Sequence, residues 1–182
     1  MARAVLRGAL QWTAPFLLAV AFLVPARAAD QTVCSSKNMD REIQTVQEQM
    51  TGGPFYKELL LRFGKPITCN LDVHDGVINL TYGFRHGARL IARTDPKIEF
   101  SEQSVQLIRM DKSTAVALLK RAELDAYQPT GCGISWTNGE ETPSTGSAGT
   151  REVVYRGDTC NCQARLIYKG DSVVMLVLRS AC

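Results

Sequence analysis

The dipeptide Asp75-Gly76 constrains this chain more than any other feature, because it stands between two alternating runs. Before it, Ile67, Cys69, Leu71 and Val73 alternate with Thr68, Asn70 and Asp72. After it, Ile78, Leu80, Tyr82 and Phe84 alternate with Asn79 and Thr81. Asp-Gly supplies two residues that tolerate positive φ, which a two-residue type I′ turn demands. With those two as the loop, Val73 faces Ile78, Leu71 faces Leu80, Cys69 faces Tyr82 and Ile67 faces Phe84. Both strands then bury the same face, and a slip of one residue would turn every apolar side chain over.

Around this hairpin the pattern is mixed. Met39, Ile43, Val46 and Met50 make one apolar stripe over 37–51, a helix stopped by Gly52-Gly53-Pro54. A second helix over 55–63 ends at Gly64, so the two form a helical hairpin. Strands are expected at 88–93 and through 98–109, on Ile98, Phe100, Val105 and Leu107, with Thr94-Asp95-Pro96-Lys97 as the turn between them. Asp111 to Ala126 reads as a helix with Ala115, Leu118, Leu119, Ala122 and Leu124 apolar. Residues 137–150 are almost free of apolar side chains and rich in Gly, Ser and Thr, which predicts a mobile loop. Three strand segments follow, the last two turning at Gly170-Asp171. The class is α+β: an N-terminal helical hairpin, an antiparallel β-meander, one further helix and a C-terminal β-hairpin.

Residues 1–28 have the form of a signal peptide. Arg3 and Arg7 precede a largely apolar run to Val24, and Ala26-Arg27-Ala28 offers an A-x-A cleavage site. Residues 29–182 are then expected as a single α+β domain, with no membrane insertion after cleavage. Losing Arg3, Arg7 and Arg27 takes three of 21 basic residues and none of 18 acidic ones, leaving a formally neutral chain. A neutral chain lacks the basic field that phosphate backbones require, so no nucleic-acid partner is expected.

All six cysteines follow residue 28, and an even count in an exported chain reads as a disulfide framework. If the helical hairpin runs out and back, Cys69 returns beside Cys34, giving Cys34–Cys69. The C-terminal turn brings Cys182 back toward Cys160 and Cys162. Two cysteines one residue apart on a strand share a face and seldom bond each other. One should therefore take Cys182 and the other Cys132. Cys132–Cys160 with Cys162–Cys182 is the preferred assignment, with the exchange of Cys160 and Cys162 left open.

Little in the sequence carries chemistry. His74 and His86 are the two imidazoles. The hairpin register puts them at opposite ends of a strand pair, roughly 30 Å apart at about 3.3 Å per residue, too far for an acid–base pair. Cys160-Asn161-Cys162 departs from zinc-ligand spacing, so neither metal nor cofactor is expected. Hydrolase, zincin, phosphate-loop, dinucleotide and EF-hand motifs are absent. Arg85, Arg89 and Arg93 would share one face of a strand, as a solvated face or a ligand site. Trp136, beside the mobile loop, is a partly buried core aromatic or a candidate contact residue. Asn79-Leu80-Thr81 is a glycosylation sequon that matters only in a eukaryotic secretory host.

The expectation is an exported protein, periplasmic or secreted, that binds an unknown protein or surface ligand and does not catalyse. Two alternatives stay open: a small secreted hydrolase using His74 or His86, and a structural envelope component.

Overall fold

The computed structural model of the chain describes residues 40–98, 100–126, 132–143, 149–159 and 161–181. The expected signal peptide and Cys34, Cys160 and Cys182 lie outside that set.

Among the described residues two helices come first, α1 (Arg41–Gly52) and α2 (Pro54–Phe63), separated by Gly53 alone. Asp40 caps α1 by accepting the Glu42 N–H, so the helix begins later than its apolar stripe suggested. Pro54 opens α2, where its missing N–H costs nothing.

Eight strands of the described residues form one sheet: β1 (Thr68–His74), β2 (Val77–Gly83), β3 (Arg89–Asp95), β4 (Phe100–Met110), β5 (Glu140–Pro143), β6 (Thr150–Arg156), β7 (Gln163–Lys169) and β8 (Ser172–Ala181). All pairs are antiparallel, in the order β1-β2-β3-β4-β8-β7-β6-β5. The meander is therefore two four-stranded meanders that meet along β4 and β8. Between β4 and β5 the chain forms α3 (Lys112–Ala126), which packs on β8, while α1 packs on β2 and β3.

The β1–β2 register is the one that Asp75-Gly76 requires: Val73 opposite Ile78, Leu71 opposite Leu80, Cys69 opposite Tyr82. Asp75 and Gly76 both have positive φ, 53° and 86°. Burial differs from expectation. Ile78, Leu80 and Tyr82 are buried, but Ile67, Leu71 and Val73 are 48%, 36% and 49% exposed. The helices reach β2 and stop short of the edge strand, so pairing is met while cover is not.

From Tyr82 one apolar row crosses six strands through Leu90, Val105, Leu176, Leu166 and Val153, and all six side chains are buried. Val46, Met50, Phe55, Leu59, Leu118 and Leu119 of the three helices complete this core. Burying each such side chain is worth roughly 1.5–3 kcal/mol. On α3 the expected apolar positions are buried except Leu124, which is exposed. Its neighbour Glu123 turns inward instead.

Three further expectations are corrected. Ile98 lies exposed in a short 3-10 turn before β4, not in the strand. Part of the expected mobile loop 137–150 is ordered strand: Glu140–Pro143 pairs with Arg151–Val154 as the outer edge of the sheet. Its polar composition suits an edge, where Arg151–Glu141 and Arg156–Glu140 ion pairs cross the ladder at 2.9 and 3.5 Å.

The crosslink is Cys132–Cys162, with Cα atoms 5.9 Å apart. Of the two assignments left open this is the exchanged one: it replaces the preferred Cys132–Cys160 and excludes Cys162–Cys182. The reason is local backbone. The hydrogen bonds around Cys162 are those of a turn, not a strand: the Gly157 N–H donates to the Cys162 carbonyl, the Cys162 N–H to the Thr159 carbonyl, and Asn161 has φ 46°. An Ile134–Gly157 bridge lays Cys132 alongside that turn, and Cys162 faces it from the core. Cys69 is disulfide-bonded too; the expected partner, Cys34, lies outside the described residues.

Candidate functional site

Helix α3 packs on β8, and among the described residues the sheet face beside it, toward β6, is left uncovered. A groove of about 600 Å³ occupies that space, within the range of small-molecule sites.

One wall is α3. Lys112, Val116 and Lys120 line the groove at i, i+4 and i+8, which places them on one helix face. The two lysines stand about 12 Å apart at 1.5 Å per residue. The opposite wall is Val153 and Tyr155 of β6, on the core face of the sheet.

Trp136 closes the groove. Its ring is tilted against Tyr155 at a centroid distance of 5.3 Å, and Lys120 Nζ lies 5.8 Å above the ring. The segment carrying it is anchored twice. Glu123 Oε1 accepts the Cys132 and Ile134 backbone N–H groups at 3.0 and 3.2 Å, and Oε2 accepts the Trp136 indole N–H at 3.1 Å. The Cys132–Cys162 bridge ties the same segment to the start of β7. A buried carboxylate is stable when its oxygens find donors, and here three donors converge on it. Gly139 then passes so close to β6 that a Cβ would lie 2.6 Å from Val153 Cγ1 and 2.8 Å from Tyr155 Cε1.

Trp136 lines the groove and is half-buried against the core. Lys112, Lys120, Tyr155 and Glu123 were not foreseen. The i, i+4, i+8 spacing of Lys112, Val116 and Lys120 was visible, whereas nothing in the pattern of α3 marked Glu123 as an inward-facing anchor.

The other expected residues lie elsewhere. His74 is exposed at the end of β1, with Nε2 3.4 Å from Asp75 Oδ2. His86 sits in a 3-10 turn past the far end of β2, beside Phe63 at 6.4 Å between centroids, so the two imidazoles are not brought together. Arg85 belongs to that same turn and leaves the strand face to Arg89 and Arg93. Arg93 and Arg179 place their guanidiniums 5.7 and 5.1 Å from the Phe100 ring centroid, on the helix-free face. The cavity there is smaller, about 260 Å³. Glu102 and Asp95 line it and offset the two arginines, so no net charge selects a ligand.

Among the described residues, no group of three or more His, Cys, Asp or Glu is arranged to hold a metal, and no helix is long and apolar enough to cross a membrane. Comparison of the chain with family models, curated proteins and solved structures finds no match.

Proposed function

We propose that this chain is an exported, non-catalytic binding protein, periplasmic or extracellular, whose ligand or partner group seats in the groove between α3 and β6. The observation that carries the reading is the groove itself: an aromatic and aliphatic lining flanked by two lysines, held open by the Glu123 anchor and a disulfide. Preorganised walls of this kind lower the ordering cost of binding. Export rests on the signal-peptide pattern of residues 1–28 and is in keeping with a crosslinked chain. His74 and His86 are not brought together, which disfavours an acid–base pair made of the two.

Native mass spectrometry of the protein recovered from its own exported fraction tests the reading. The expected species begins at Ala29 and carries a bound molecule that Ala117→Phe, which fills the groove from an exposed helix position, does not retain. A chain keeping residues 1–28 would overturn export. A bound molecule indifferent to Ala117→Phe would overturn the groove.

A further inference from the structure

Resting on that groove reading, we infer that the ligand is an amphipathic anion: an apolar chain or ring carrying a carboxylate or phosphate head. The charge balance of the groove decides this. Lys112 and Lys120 are exposed on the α3 wall, and neither makes an ion pair among the described residues. The acid lining the groove, Glu141, is already held by Arg151 at 2.9 Å. Asp111, next to Lys112 in sequence, is turned to the head of α3, where it accepts hydrogen bonds from Ser113 and Thr114. The groove lining therefore carries two lysines with no ion-pair partner among the described residues, against one acid that Arg151 already holds. Between and below them the lining is Val116, Val153, Tyr155 and the Trp136 ring.

Each alternative ligand class leaves part of this surface unmatched. A cationic amphiphile would meet two like charges, and like-charge juxtaposition is a strong bar to a wrong partner. A neutral polyol would cover the valines and the indole with groups that prefer water. An inorganic anion would satisfy one lysine and leave the apolar floor wet. An anion with an apolar tail covers the floor and pairs its head with a lysine at either end. When that head draws Lys120 away from Trp136, the environment of the indole changes.

The test uses the full chain, isothermal titration calorimetry and the indole N–H resonance of Trp136, assigned by its loss in Trp136→Phe. The probes are dodecanoate, dodecyl phosphate, dodecyltrimethylammonium and dodecyl maltoside, each below its micelle concentration. Expected is binding of one or both anions with a shift of the Trp136 resonance, the two arms separating a carboxylate from a phosphate head. The cation and the glycoside should bind at least about tenfold more weakly, a difference of about 1.4 kcal/mol. Lys112→Gln with Lys120→Gln should cost the anions about tenfold or more while leaving the melting temperature unchanged. Equal binding of all four probes, or anion binding untouched by the lysine changes, overturns the inference. In that event, sensitivity to Ala117→Phe would leave the groove reading standing. No response of Trp136 to any probe would remove both.

Discussion

Glu123 and Trp136, thirteen residues apart, are joined by a 3.1 Å hydrogen bond from the indole N–H to a carboxylate on a side chain only 5% exposed. The bond makes the position of the groove's aromatic wall depend on one acid in α3. Glu123→Gln keeps the shape but gives the three donors a single oxygen acceptor and an amide that is itself a donor. Each buried donor left unpaired costs roughly 1–3 kcal/mol. We expect Glu123→Gln to lower unfolding free energy by about 2 kcal/mol and Glu123→Ala by more, measured by urea denaturation. An unchanged midpoint in both would show that the anchor does not hold the segment.

The Cys132–Cys162 bridge closes a loop with a sequence separation of 30. Loss of such a bridge typically costs about 2–5 kcal/mol in a small domain. Cys132→Ser with Cys162→Ser should fall in that range and broaden the Trp136 resonance, since one of its two anchors is gone. Non-reducing peptide mapping should recover the Cys132 peptide linked to Cys162. Recovery with any other cysteine refutes the pairing.

Acid should weaken the head of α3. Hydrogen bonds from the Ser113 and Thr114 hydroxyls and the Thr114 N–H hold the Asp111 carboxyl well below the usual carboxylate range. A folded-state value below the unfolded one adds stability that is present above about pH 3.9 and is lost as pH falls further toward the folded value. Stability of the native chain should therefore drop between about pH 4 and pH 2 more steeply than that of Asp111→Asn. Parallel urea midpoints across that window would show that this group is not linked to folding.

The turn of the first hairpin is open to a direct check. Gly76 has φ 86°, and a β-branched residue resists that region. Gly76→Val is expected to destabilise by about 1–2 kcal/mol, read as a fall in melting temperature. Lys97, the side chain nearest to an added Cβ, is flexible, so strain in the backbone rather than a clash should account for the loss.

Much of the fold was legible where the signal was local. Asp75-Gly76 and the alternation around it set the β1–β2 register residue by residue. What failed was long-range. Alternation marks a face but not whether a helix reaches it, so it predicts burial at Leu71 and Val73 where the structure leaves them exposed. Polar composition at 140–143 matched a loop because an outer edge strand faces water as a loop does. Of the two cysteine pairings that the sequence leaves open, the structure forms Cys132–Cys162, and the turn hydrogen bonds of Gly157 and Cys162, which strand alternation does not foreshadow, decide between them. Of the groove lining, the sequence singles out Trp136 alone. The approach of α3 to β6 that makes the groove depends on packing between elements separate in sequence.

The β4–β8 seam bears on how the chain assembles. Partners in the other ladders, β1 to β4 and β5 to β8, come from neighbouring strands, whereas Phe100 pairs with Ala181 and Met110 with Val173. Closing those contacts spans roughly sixty to eighty residues, and loop entropy must be met before they stabilise anything. Each half of the sheet can zip up on its own, and the rate at which the whole domain folds is then set by how quickly its middle is joined.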